Sequence, residues 1–313
     1  MGTFIIAMIM FLALVTIHEF GHFIVAKLSG IKVNEFAVGM GPEIFSRQNG
    51  ETKYSLRLLP IGGYCAMEGE DESSSDPRSY DNAPAFKRFL TILAGPVMNL
   101  LLAVIVFTIV AFNTGTSTTF VGGFSENSPA KEAGISADDQ LVAINNQNID
   151  EFTDISKILA DYYSKNAKDS PVEVVTKTTE RSEKTYNITP TFENNIPLLG
   201  ISSKMRNVNF IEAIGLGFKE TGRNVKMIFN ILGMLITGKL SFGALSGPVG
   251  VVKEIGNQAR NGAMSVLYFL SYISVNLAVF NLIPFPALDG SKLVTNLYEM
   301  ITKKRVNKKI EER

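Results

Sequence analysis

Residues 3–27 read TFIIAMIMFLALVTIHEFGHFIVAK, and the fold turns on how this stretch is read. Nothing is charged from Thr3 to Ile17, and beyond His18 and Glu19 the apolar run continues to Ala26. A helix rising about 1.5 Å per residue is long enough here to cross a hydrocarbon core of roughly 30 Å. A cleaved signal peptide is the competing reading. It fits badly, because no basic residue precedes the run and His18, Glu19 and His22 stand where a small-residue cleavage site would lie. Ionisable side chains inside a span are costly and mark function by default, unless they merely satisfy one another between helices.

Both histidines of the chain fall in His18-Glu-Phe-Gly-His22, an H-E-x-x-H pattern. Positions i and i+4 share one helix face, so both imidazoles can reach one metal ion, with Glu19 beside it as a base. Zinc suits such a set: it takes nitrogen and oxygen ligands tetrahedrally and keeps one position open for water. A third protein ligand is needed and no histidine is left. Cys65, the single cysteine, could supply a thiolate or simply pack as a small apolar residue. The carboxylate candidate is Asp289, which ends an uncharged run in Asn281-Leu-Ile-Pro-Phe-Pro-Ala-Leu-Asp-Gly290. There two prolines open the helix and Gly290 permits a sharp turn. A helix-terminal Asp facing water is the plainer alternative.

Working outward, residues 89–112 and 264–288 are also free of charge. Residues 89–112 read as a second span. The other run holds Asn276, Asn281, Pro284 and Pro286, so 263–290 is expected to be a third span that breaks near its end. Irregular backbone at that depth must be buried in protein or line a cavity. Within 205–262, Phe210 to Thr237 mixes apolar residues with Lys219, Glu220, Arg223 and Lys226, the pattern of an interfacial amphipathic helix followed by a linker.

Basic residues cluster at Lys27, Lys32, Lys87 and Arg88, and in the tail 291–313 at Lys303, Lys304, Arg305, Lys308 and Lys309. None occurs from Leu90 to Ala130. The positive-inside rule therefore puts 31–88 and the tail in the cytoplasm and 113–204 outside. The outer region reads as short strands with one or two helices, a binding module. The 32–67 segment reads as glycine-punctuated extended runs, a small membrane-associated β region. Its open edge could hold an extended substrate by strand addition, or it could be a packing hairpin.

The composition narrows the function further. Thirty basic against thirty acidic residues give no net charge, which argues against a nucleic-acid partner. One cysteine excludes an internal disulfide framework.

The chain resembles the bacterial site-2 proteases of the RseP/RasP type, zinc intramembrane proteases, through an ordered set of motifs. These are His18-Glu-Phe-Gly-His22 and Asn281–Gly290, with Phe36-x-x-Gly-x-Gly-Pro42, Pro60-Ile-Gly-Gly-Tyr64, Gly69-Glu-Asp71, Ala94-Gly-Pro-Val-Met-Asn99 and Leu245-Ser-Gly-Pro-Val-Gly250. The resemblance implies a multi-span α-helical membrane protein with an inserted extracytoplasmic PDZ-like α+β domain over 113–204. The first transmembrane helix occupies 1–30, and the active site lies near the cytoplasmic side of the cell membrane. It implies zinc held by His18, His22 and Asp289, Glu19 as catalytic base, and Asn276, Pro284 and Pro286 near the substrate. It implies regulated intramembrane proteolysis of single-span membrane proteins, such as pre-trimmed anti-sigma factors or signal-peptide remnants, with peptide or substrate ends engaging the PDZ domain. Relatives of this type usually carry a further span after Lys303-Lys-Arg-Val306, whereas no apolar run follows Ile301 here. A catalytically silent membrane metal-binding protein and an anchored PDZ scaffold are the alternatives in other functional classes.

Overall fold

In the computed structural model, residues 2–70, 72, 74–178, 182–241, 243 and 247–305 are described. Asp71, Leu245, Ser246, Lys308 and Lys309, singled out in the sequence, lie outside them. The chain divides into two compact units, residues 111–209 and the remainder. Among the described residues, three helices are long and apolar enough to cross a membrane: α1 (Gly2–Ser29), α2 (Ala85–Thr114) and α7 (Ala263–Asn281).

Glycine sets how closely the first two helices approach. A Cβ on Gly21 of α1 would stand 2.3 Å from the Ala94 carbonyl oxygen of α2, so only glycine lets the backbones meet there. The chain leaves α1 into an antiparallel hairpin of β1 (Val33–Asn49) and β2 (Thr52–Met67). Its register shifts repeatedly, and Gly39, Gly41 and Gly62 take positive φ, so the strands bend along their length. The base of the hairpin is core: Val33, Cys65 and Met67 pack with Ala26, Ile31, Ile92 and Leu293. Farther along, Met40, Ile44, Phe45, Leu58, Leu59 and Ile61 form an exposed apolar surface.

α2 starts at Ala85, four residues before the span read from sequence, so Lys87 and Arg88 belong to its first turns. Later in α2, Ala103 and Phe107 pack with Val275 and Val279 of α7 and with Ile228 of α5 (Phe210–Ile236). Three expectations are corrected in the C-terminal part. The 205–262 linker contains a further helix, α6 (Pro248–Arg260), whose Ile255 is buried against Ala7 and Met10 of α1. The third span ends at Asn281 instead of 290. Pro284 and Pro286 have no N–H to continue the ladder, and residues 282–288 turn back with Ala287 in the left-handed region at φ 70°. A new helix, α8 (Asp289–Thr302), then occupies what the sequence suggested was a tail. Gly290, Leu293 and Asn296 lie on one buried face of it. Gly290 serves close approach and not a left-handed turn: a Cβ would meet the Ile283 carbonyl oxygen at 2.1 Å.

The other unit is a sheet domain. Its strands run in the order β10 (Ile201–Arg206), β3 (Thr116–Phe124), β4 (Gln140–Ile144), β6 (Val172–Lys177) and β7 (Glu183–Ile188), with β5 (Gln147–Asn148) on β4. Alternation in β6 sends Val172 and Val174 inward, and α4 (Phe152–Tyr163) supplies Ile155, Ile158 and Leu159 to the same core. A short helix, α3 (Pro129–Glu132), begins with Ser128 as its N-cap. β8 (Thr191–Glu193) pairs with β9 (Ile196–Leu198). An open groove of about 890 Å³ is lined by α4 and by residues of 124–127 and 191–202.

Candidate metal centre

The helical repeat places His18 and His22 on one face of α1, and packing buries both. Their rings meet nearly at right angles, 84° between planes with centroids 4.8 Å apart. The two Nε2 atoms are 3.2 Å from each other. Asp289, in the first turn of α8, brings its Oδ2 to 3.0 Å from His18 Nε2 and 3.5 Å from His22 Nε2. The turn through Pro284 and Pro286 leads directly into this residue.

The spacing fits a metal ion. Zinc–ligand bonds of about 2.0–2.1 Å in a tetrahedron put the ligand atoms about 3.3 Å apart. The three separations found here, 3.0, 3.2 and 3.5 Å, bracket that value. Apart from the two imidazole nitrogens it faces, buried Asp289 Oδ2 has no partner among the described residues and makes no well-formed hydrogen bond, so it is an acceptor that a cation would satisfy. Two imidazole nitrogens and one carboxylate oxygen are also a donor set that zinc accepts while leaving a fourth position open. The Cys65 side chain is not among the clustered donors. Burial, with the Glu19 and Glu70 carboxylates close by, pushes its thiol well above the usual range, which suits a packing residue.

Glu19 follows His18 directly, and its Oε2 accepts a 3.1 Å hydrogen bond from the Cys65 backbone N–H. The last residues of β2 thus hold the carboxylate beside the two histidines. Asn276 turns its amide back onto its own helix, donating to the Tyr272 carbonyl at 2.9 Å. Pro284 and Pro286 lie on the exposed turn that leads into Asp289.

Several contributors were not assigned from sequence. His22 Nδ1–H donates to the Thr91 carbonyl of α2 at 2.9 Å. Asn99 Nδ2 lies 3.2 Å from His18 Nδ1, and Asn281 Nδ2 3.4 Å from His18 Nε2. A Cβ on Gly95 would stand 2.5 Å from His22 Nε2 and 2.8 Å from His18 Cε1, so the rings occupy the space that glycine leaves. An asparagine within an uncharged span was the available signal for Asn99, since buried amides in a membrane need partners. Its partner depends on how α1 meets α2.

The family model for peptidase family M50 matches residues 6–313. A protein of Clostridium acetobutylicum that carries the name zinc metalloprotease is 39% identical over 97% of this chain and 88% of its own length. One of Clostridium perfringens, similarly named, is 39% identical over 96% of this chain and 89% of its own. One of Staphylococcus aureus is 31% identical over 99% and 92%. With the family model covering nearly the whole chain and such relatives aligned along most of their length, the chain belongs to peptidase family M50, the site-2 type of zinc metalloprotease.

Proposed function

We propose that this protein cleaves peptide bonds of membrane-embedded substrates, with zinc held by His18, His22 and Asp289 and with Glu19 as general base. The observation that carries the reading is the convergence of three donor atoms 3.0 to 3.5 Å apart, two on the apolar helix α1 and one a buried carboxylate oxygen at the start of α8. When bound, zinc supplies Lewis-acid polarisation of the scissile carbonyl and lowers the pKa of the attacking water. Glu19 accepts the water proton and returns it to the departing amide nitrogen. The Cys65 N–H orients the Glu19 carboxylate for that transfer. Thr91 keeps His22 protonated on Nδ1, so its Nε2 lone pair faces the cluster.

A helical peptide bond is already hydrogen-bonded, so the substrate must unwind before attack. The bent, apolar outer part of the β1–β2 hairpin offers an unwound strand backbone partners and an apolar setting. The exposed turn at Pro284 and Pro286, one step from Asp289, supports a place for these residues beside the substrate, and Asn276 on α7 belongs to the same region of the chain. The sheet domain is read as an extracytoplasmic PDZ-like module whose groove takes a peptide or a substrate end, in accord with the distribution of Lys and Arg. Substrates of this kind are single-span membrane proteins, such as pre-trimmed anti-sigma factors or signal-peptide remnants.

The test is cleavage of a membrane-embedded single-span reporter by the full chain in liposomes. Wild type should cleave and lose activity to a zinc chelator. Glu19→Gln should keep zinc and cleave about 10²- to 10⁴-fold more slowly. Cleavage by Glu19→Gln at the wild-type rate would remove Glu19 from the chemistry.

A further inference from the structure

His18 and His22 are fixed by the same helix in two different ways. Thr91, Gly95 and Asn99 stand four residues apart on α2, so they form one row along three successive turns. Thr91 offers a backbone carbonyl to His22 Nδ1. Gly95 leaves room for both rings. Asn99 sets its amide against His18 Nδ1 at 3.2 Å. Asn99 is wholly buried, and the Ser274 hydroxyl of α7 donates to its backbone carbonyl at 2.8 Å, which ties this turn of α2 to α7.

A histidine that ligates through Nε2 must carry its proton on Nδ1, and that N–H requires an acceptor. For His22 the acceptor is a main-chain carbonyl that no side-chain substitution removes. For His18 the acceptor has to come from Asn99. Its Oδ1 is buried and makes no hydrogen bond, while its Nδ2 faces a ring nitrogen that bears a proton in the ligating tautomer. The two ends of the amide exchange places by a half-turn about the terminal side-chain bond. Oδ1 then receives the Nδ1–H and leaves the Nε2 lone pair free.

We propose that Asn99 is a positioning residue: its Oδ1 accepts the His18 Nδ1 proton and thereby holds His18 in the tautomer and orientation that present Nε2 to the metal. Asn99 touches neither substrate nor metal in this assignment, and it acts through His18 alone. The inference rests on the reading that His18 and His22 hold the zinc.

Two substitutions separate an acceptor role from mere packing. Asn99→Asp keeps the acceptor and abolishes the donor, while Asn99→Leu keeps the volume and abolishes both. Zinc affinity of the full chain in detergent is read by competition with a chelator. Asn99→Leu should bind zinc about 10- to 100-fold more weakly, the usual cost of losing such a partner. Asn99→Asp should stay within a few-fold of wild type. Because the chain has two histidines, a sample labelled with ¹⁵N in histidine presents two imidazoles to resolve. In the zinc-loaded wild type, both Nδ1 protons should exchange slowly with solvent. In Asn99→Leu, the His18 proton should exchange faster while that of His22 is unchanged. Wild-type affinity in Asn99→Leu, a loss in Asn99→Asp as large as in Asn99→Leu, or fast exchange at His18 in wild type would each overturn the proposal. His18→Ala tests the underlying reading separately: undiminished zinc binding there refutes the ligand set itself, whereas its loss beside normal binding in Asn99→Leu refutes the positioning role alone.

Discussion

The helical unit and the sheet domain solve opposite problems. In the sheet domain, residues such as Leu141, Ile144, Val172 and Val174 form an apolar core, and the groove beside α4 lies open. In the helical unit the most consequential buried atoms are polar: two imidazoles, a carboxylate and the Asn99 amide, set among apolar helices. Burial stabilises the first region through area removed from water. In the second, burial is costly for every polar group that lacks a partner, which makes the unsatisfied Asp289 Oδ2 and Asn99 Oδ1 the informative atoms, and glycines remove the side chains that would intervene. Chemistry in this protein therefore depends on precise approach between helices, while the sheet domain depends on ordinary packing.

That contrast predicts how substitutions sort. The largest effect is expected at Asp289→Asn, which leaves the shape of the turn but replaces an anionic ligand with a neutral amide. Zinc content measured on the purified chain should fall from about one ion per chain to near zero. Full occupancy would move the third ligand elsewhere. Next comes Leu141→Ala, a wholly buried residue of the sheet domain. It should destabilise that domain by about 2–5 kcal/mol in thermal or denaturant unfolding. Zinc content should remain at the wild-type level, and a parallel loss of metal would break the separation drawn between the regions.

The smallest effect concerns the hairpin. Burial alone would raise the pKa of the Glu35 carboxyl, but donation from Ser55 at 2.6 Å and from Arg57 at 2.7 Å outweighs it and holds the group below its ordinary value. A carboxylate with a lowered folded-state pKa adds stability that is full above its ordinary value and is lost as the pH falls toward the folded one. The contribution is about 1 kcal/mol or less. Hydrogen exchange of the hairpin, corrected for intrinsic rates, should lose protection as the pH falls from about 5 to about 3 in wild type and change less in Glu35→Gln. Equal losses in both would assign the pH response to another group.

The α8 helix shows why part of this arrangement was hidden. Its buried face consists of Gly290, Leu293 and Asn296, too few apolar residues to register beside a run as long as 264–288. Its position comes from partners far away in the chain. Lys292 pairs with Glu70 at 2.7 Å, Asn296 donates to the Tyr80 hydroxyl at 3.0 Å, and Glu299 pairs with the buried Arg88. Arg88 read from sequence as a topology signal at the edge of a span, yet it also anchors the helix that carries Asp289. Lysine and arginine at membrane edges follow the positive-inside bias whether or not they are paired, so their pairing is invisible in the sequence.

The sequence by itself determined the apolar runs, the H-E-x-x-H pair and the need for a third, non-histidine ligand. Those depend on local quantities: hydrophobic length, the 3.6-residue helical repeat and the count of available donors. Only the tertiary structure decided that Asp289 opens a new helix, that Thr91 and Asn99 face the two imidazoles, and that Gly21 and Gly95 stand where a side chain would strike α2 or the histidine rings. The helical repeat says which residues share a face. The height and rotation at which one helix meets another follow from packing against the rest of the molecule, and that register places a buried amide next to an imidazole.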